Sequence, residues 1–288
     1  MKKFPQILDS AIIGRSYSGS IETIDPIRTL EFAKATNETN PGYFDTDESR
    51  RLVPPLFPVT TMFSVSNKLV QDPTLNLDFS RMVHGEHSIT YTRPLKPGNQ
   101  IRTSTQLESI DVKSSGEVLW IRIEGHHHSD LVFVMRAGLF FKNQEKGRSR
   151  SKTQKIPSPS QIQDFLFQEK MVVESDQAIR YSKASGDMNP IHLDPDFARM
   201  VGLPDVILQG LCTMAFAAQA ILNGTDTSPT KLKCIKTRFA RPVFMGDALT
   251  THAWLIKKTN ESQILGFRTD NQDGYSVLTH GEAELLNE

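Results

Sequence analysis

Four polar side chains crowd into the short stretch SGDMNPIHLD: a carboxylate at Asp187, an amide at Asn189, an imidazole at His192 and a second carboxylate at Asp194. An acid and an imidazole five residues apart (192 − 187 = 5) can flank one water if the chain turns between them. Pro190 favours that turn, because proline fixes its own φ and disfavours helix at the residue before it. A pair of this kind can take a proton from water and pass one on, general acid–base help worth ~10²–10⁴ in rate. Sequence does not separate the two roles, since such groups titrate together. Further on, a strongly apolar run from Val206 to Leu222 holds Gly210 near its start. A helix beginning there offers unpaired N–H groups and about half a positive charge to an oxygen gaining negative charge. Glycine leaves no side chain in the way. Each residue taken alone has a plainer reading. His192 would be structural or on the surface, and Asp187 a cap or Asx-turn residue. Asp194 before Pro195 is read as a turn and helix cap, and Ser185 as a turn serine or a substrate contact.

The elements that must position these residues come from a chain of 288 residues, long enough for one large domain or two small ones. Thirty-three basic and thirty-three acidic residues cancel, which argues against nucleic acid as a partner. Cys212 and Cys234 lack metal-ligand spacing and read as buried free thiols of a reducing compartment. MKKFPQILDS has no apolar core for a secretory signal, the C-terminus carries no peroxisomal or lipid-anchor address, and no run comfortably spans a bilayer. The expectation is a soluble, cytoplasmic protein without a membrane partner.

Along the first half, residues Ile12 to Ile24 read as a loop and short strand. Asp25-Pro26-Ile27 is a cap-plus-proline helix start, with an end near Thr36. Residues Val59 to Val70 read as a second helix, followed by strands at Ser88 to Tyr91, Gln100 to Val112, Val118 to His127 and Leu131 to Phe141. The polar, basic stretch from Gln144 to Pro159 reads as a linker, with too few cations and no interleaved aromatic residues for nucleic acid. His126-His127-His128 reads as an exposed strand end, because adjacent strand residues face opposite ways and cannot all converge on a metal.

Beyond the linker the pattern recurs. ATNETNPGYFD aligns with ASGDMNPIHLD at an offset of 189 − 40 = 149, and TRPLKPGNQI with ARPVFMGDAL at 242 − 94 = 148. Two landmarks sharing nearly one offset indicate a duplication. Each copy reads as helices followed by about four antiparallel strands, an α+β architecture made twice. The copies differ where chemistry would sit: Glu38 stands for Asp187, and Tyr43 for His192. If one half works and the other supports it, the second half works.

The stretch SGDMNPIHLDPDFARMVGLPDVILQGL resembles the signature of the MaoC-like, or hydratase-2, family, and the resemblance extends to KTRFARPVFMGDALTT. ETNPGYFD and VPPLFPV resemble the degenerate partner domain of the family's two-domain members. This resemblance implies a double hotdog, two antiparallel sheets each wrapped around a helix and packed as a pseudo-dimer. Its domains would be 1–143 (degenerate), 144–160 (linker) and 161–288 (catalytic). It implies a hydro-lyase, hydrating trans-2-enoyl thioesters or dehydrating (R)-3-hydroxyacyl thioesters of coenzyme A or acyl carrier protein, with no cofactor and no metal. Asp187 and His192 would be the catalytic pair, Asn189 would orient them, and the Gly210 N–H would receive the thioester carbonyl. The family usually has His where this chain has Gln209, which is therefore a candidate substrate contact beside Ser185. Arg238 and Arg241 are candidates for the phosphates of coenzyme A or for surface ion pairs. A non-catalytic thioester-binding subunit and a hotdog thioesterase are the alternatives, and a further homodimer stays open.

Overall fold

Asp25 Oδ1 accepts from the N–H of Ile27 at 2.7 Å, so α1 (Pro26–Ala35) starts at the cap-plus-proline signal and is capped at its far end by Thr36. The computed structural model describes residues 7–143 and 164–287. Before α1 comes a strand, β1 (Ser16–Thr23); after it come α2 (Val59–Val70) and the strands β2 (Met82–Tyr91), β3 (Gln100–Lys113), β4 (Gly116–His127) and β5 (Asp130–Lys142). The second half repeats the order with β6 (Phe167–Val172), α3 (Gln177–Ser185), a short α4 (Pro195–Met200), α5 (Gly210–Gly224), β7 (Leu232–Phe239), β8 (Ala248–Lys258), β9 (Ser262–Asp270) and β10 (Ser276–Leu286). Each half thus opens with a strand of its own ahead of the helices; β1 lies within the loop and short strand read at Ile12 to Ile24, and β6 is its unread counterpart. The stretch 144–160, read as a linker, lies outside the described residues.

All ten strands form one antiparallel sheet in the order β1-β3-β4-β5-β2-β7-β10-β9-β8-β6. Taken from its outer edge inward, the second half runs β6-β8-β9-β10-β7, the same path as β1-β3-β4-β5-β2. The halves join where β2 pairs with β7, and Ser88 lies opposite Lys236. Their separation, 236 − 88 = 148, is the offset of the sequence repeat. In a symmetric antiparallel pair only the residue on the twofold axis faces its own equivalent, so this pair marks the pseudo-twofold axis of the duplicated chain. A second contact joins α1 to α3. Gln177 Nε2 donates to the Ala35 carbonyl at 2.6 Å, Arg180 Nη1 donates to the Lys34 carbonyl at 2.9 Å, and the rings of Phe32 and Tyr181 lie 5.6 Å apart.

The core sits between the sheet and its helices. Every residue of 211–222 in α5 is buried, as expected of a helix that is apolar on all sides. The strands that wrap it alternate, with Leu249, Thr251 and Ala253 of β8 facing in and their neighbours facing out. Cys212 is buried and Cys234 partly so, both as free thiols raised by burial. His126 and His127 end β4, and His127 Nδ1 lies 2.9 Å from the Gln100 carbonyl. Among the described residues no three His, Cys, Asp or Glu side chains gather as metal ligands, and no helix is long and apolar enough to cross a membrane.

Candidate active site

The turn that carries the polar residues is built by its own side chains. α3 ends at Gly186, whose φ of +87° lies in the left-handed region that glycine adopts without strain. That reversal throws Asp187 out over the next turn. Ser185 Oγ accepts from the Asp187 N–H at 3.2 Å, and Asp187 Oδ1 accepts from the Asn189 N–H at 3.2 Å. Asn189 Oδ1 in turn accepts from the Ile191 N–H at 3.3 Å, starting a 3₁₀ turn over Pro190–His192. The first half makes the same turn with Asn40 Oδ1 accepting from Gly42 at 2.9 Å, and its αL residue is Asn37.

His192 is held from behind. Its Nδ1 lies 2.7 Å from the Ile207 carbonyl, and since a carbonyl only accepts, Nδ1 carries the proton. Nε2 is left as an acceptor and faces Asp187 Oδ2 at 3.8 Å. That gap is too long for a direct hydrogen bond, yet one water oxygen about 2.8 Å from each atom spans it. The side chains are 8% and 19% exposed, so the gap opens to solvent only narrowly. Burial lowers the His192 pKa against the opposing pull of the Asp187 charge and the Ile207 hydrogen bond. The imidazole is therefore a neutral acceptor at neutral pH.

The same Ile207 leads straight into α5. Its N–H donates to the Ile191 carbonyl at 3.2 Å and the Leu208 N–H to the Val243 carbonyl at 2.8 Å, which fixes the helix start beside the His192 turn. Gly210 is the first residue of α5, where backbone N–H groups have no intrahelical partner. A Cβ at this position would come within 3.0 Å of the Phe239 ring, so glycine allows the ring to cover the helix tip. His84 meets the Phe239 ring edge to face, with centroids 5.1 Å apart, and burial lowers its pKa to about 4.

Several candidates find other work. Gln209 is buried with its Nε2 donating to Ser182 Oγ at 2.7 Å and to the Ala178 carbonyl at 3.1 Å. The amide ties the helix start to α3. Ser185 is likewise 1% exposed and serves Asp187. Asp194 caps α4, accepting from Asp196 at 2.9 Å and Phe197 at 3.2 Å. Arg241 donates to the Ser276 carbonyl at 2.9 Å and lies over the Tyr275 ring, whereas Arg238 projects from β7 as an exposed cation.

Two neighbours escape a reading of the sequence. Tyr181 is fully buried, and its hydroxyl has no partner among the described residues. Burial first, then the nearby Cys212 and Asp187, hold that hydroxyl well above its ordinary range, so it stays protonated as a donor. Phe63 of α2 lies 3.9 Å from where a Gly186 side chain would begin, so the first half walls the second half's loop. The only sequence signal for either is an aromatic residue in a helix.

At the corresponding turn the first half has Glu38 and Tyr43 where the second has the acid and the imidazole. The Tyr43 hydroxyl is buried and unpartnered among the described residues, and burial pushes the Glu38 carboxyl up to about 8. Above the ordinary 4.5 the unfolded chain ionises this acid while the folded chain keeps it protonated, so stability is lost as pH rises towards 8. Glu38→Gln removes that penalty. Its melting temperature should exceed the parent's by a margin that grows from pH 5 to pH 8, and equal margins at the two pH values would contradict the protonated state.

Two wrapped half-sheets sharing one seam, with a carboxylate–imidazole gap beside the tip of the buried helix, define a double-hotdog protein with one equipped half. Residues 158–274 match the MaoC like domain, and residues 11–130 match the FAS1-like dehydratase domain region. Enoyl-CoA hydratase 2, peroxisomal, of Arabidopsis thaliana is 30% identical over 221 residues, covering 68% of this chain and 70% of that protein. The chain belongs to the MaoC-like, hydratase-2 family. Peroxisomal multifunctional enzyme type 2 of Mus musculus is 28% identical over 224 residues, which is 76% of this chain but 29% of the mouse protein. The chain therefore spans less than a third of that relative's length. The crystal structure of a MaoC-like dehydratase from Phytophthora capsici has the same fold, with a TM-score of 0.78 over 98% of both chains at 24% identity.

Proposed function

We propose that the chain hydrates trans-2-enoyl thioesters to (R)-3-hydroxyacyl thioesters and runs the reverse dehydration. The observation that carries this reading is the 3.8 Å gap between Asp187 Oδ2 and His192 Nε2, with His192 anchored three residues ahead of Gly210. A water held in the gap adds its hydroxyl to Cβ of the enoyl group, and the pair takes the water's other proton and returns one to Cα. Charge passing to the thioester oxygen in that step is met by the Gly210 N–H, a donor typically worth ~3 kcal/mol in the transition state. In this reading residues 161–288 are the catalytic domain and 1–143 the degenerate one, and Arg238 is the cation open to a coenzyme A phosphate. The names of relatives called enoyl-CoA hydratase 2 and multifunctional enzyme type 2 agree with it.

The test is to follow loss of enoyl absorbance on the purified chain with enoyl-CoA substrates of several lengths, resolving the product's handedness and titrating free thiol in parallel. Hydration to the (R) product without thiol release is expected. No hydration at any length, or release of thiol, overturns the reading. The proposal places the enzyme in the cytoplasm, whereas both relatives carry peroxisomal names. Imaging of a fluorescent fusion checks that part.

A further inference from the structure

A side chain of the first half reaches the helix tip of the second. In β2 the residues His87, Ile89 and Tyr91 are buried against the core, and strict alternation would turn Gly85 the same way and His84 outward. The bulge between His84 and Glu86 breaks that order, and the His84 ring lies 5.2 Å from the buried His87 ring. There it meets Phe239 of β7 edge to face, with centroids 5.1 Å apart and planes at 73°. Phe239 carries the ring that a Cβ on Gly210 would approach within 3.0 Å. Cα–Cβ bonds tilt towards a helix's N-terminus, so this ring lies at the tip, on the side from which a ligand reaches the Gly210 N–H. For packing alone, an imidazole is a poor choice at position 84. Its Nε2 is buried without a partner among the described residues, and burial keeps the ring neutral, with a pKa lowered to about 4. The pseudo-twofold puts Tyr91 (239 − 148 = 91) and Leu232 (84 + 148 = 232) at the corresponding places, where both line one small cavity. The Tyr91 hydroxyl donates to the Pro55 carbonyl just ahead of α2, so that pair sits by the first half's tip. An aliphatic side chain serves there, and the imidazole stands only beside the tip next to the His192 turn.

We infer that His84 is a positioning residue of the second half's site, holding the Phe239 ring in one orientation over the Gly210 tip. This rests on the reading of the Gly210 N–H as the donor to the thioester oxygen. An edge-to-face contact sets the angle between two rings, whereas an aliphatic neighbour only fills space. A ring kept at that angle holds bulk water off the tip, and a donor in such a water-poor site does more for an oxygen gaining charge. A ring free to turn admits water to the donor or covers it. The gain arises in the transition state, so it belongs to kcat and hardly to KM. The half without the acid–imidazole pair thus contributes to the rate of the half that has it.

Variants of the full chain are assayed on the enoyl-CoA that the parent hydrates fastest. His84→Leu, which copies the side chain at the corresponding place, should lower kcat about tenfold, part of the ~10²–10³ that a lost donor costs, and leave KM within about twofold. Its melting temperature should equal or exceed the parent's, because an unpartnered buried nitrogen goes with the ring. Phe239→Leu should also lower kcat, and adding His84→Leu to it should change nothing further. His84→Phe, which keeps an aromatic edge, should hold kcat within about twofold of the parent. The inference is overturned if His84→Leu keeps the parental kcat, if its loss falls on KM, or if it costs the same factor with Phe239 present and absent. Equal losses of kcat and of melting temperature in His84→Leu and His84→Phe overturn it too, as the mark of packing alone. The parent separates the two readings. A parent that hydrates no enoyl-CoA removes the hydratase reading, and an active parent beside an unchanged His84→Leu removes only this one.

Discussion

His192→Asn lowers kcat for enoyl-thioester hydration by ~10²–10⁴ and leaves KM within a few-fold. Asparagine is the informative replacement because its amide N–H stands where Nδ1–H stands and can still donate to the Ile207 carbonyl, 2.7 Å away in the parent. What disappears is Nε2, the acceptor that faces Asp187 Oδ2. Asp187→Asn should cost a similar factor, and the double variant little more than the worse single one, because both groups serve the same water. The pH profile adds a second readout. His192 must be neutral to accept, and burial holds its pKa below the ordinary 6.5, so the acid limb of kcat/KM lies below that pH. The Asp187 charge pulls the other way, hence Asp187→Asn moves the limb lower still. An acid limb above 6.5, or a loss confined to KM, would remove His192 from the proton path.

Gly210→Pro lowers kcat by ~10²–10³, while Gly210→Ala lowers it far less. Both variants add a Cβ that meets the Phe239 ring at about the same 3.0 Å, so both ask the ring to give by a few tenths of an ångström. Only proline deletes the N–H. The helix tolerates it, since the first helical position suits proline and its missing donor has no intrahelical acceptor to lose. Gln209 already has φ −59° and ψ 133°, the extended conformation required ahead of a proline. The difference between the two variants therefore isolates one hydrogen bond to the thioester oxygen. Thermal melts of both confirm that the helix start survives, and equal rates for the two would mean that the Gly210 N–H takes no part.

How much of this was legible beforehand depends on how local each cause is. α1 and α2 end where caps and apolar runs place them, and three strands of the first half fall within two residues of their expected limits. β2 begins six residues early (88 − 82 = 6), because the bulge between His84 and Glu86 breaks the two-residue alternation that marks a strand. The turn holding Asp187, Asn189 and His192 was readable, since proline and Asx chemistry act within a few residues. The Ile207 carbonyl behind His192, the hydroxyl of Tyr181 and the wall at Phe63 were not, because each is brought in by packing between distant segments. Gln209 shows the converse hazard. The family's usual histidine at this position suggested a substrate contact, but the Gln209 side chain leaves the backbone towards α3.

The seam at Ser88 and Lys236 has a consequence for the protein in dilute solution. Two separate chains joined along such strands would part as concentration falls, whereas halves tied into one polypeptide meet at an effective concentration of about millimolar whatever the dilution. Specific activity should therefore stay flat as the protein is thinned out. The tie also frees the copies from matching, so a substitution near the axis is felt on one flank and leaves the other untouched.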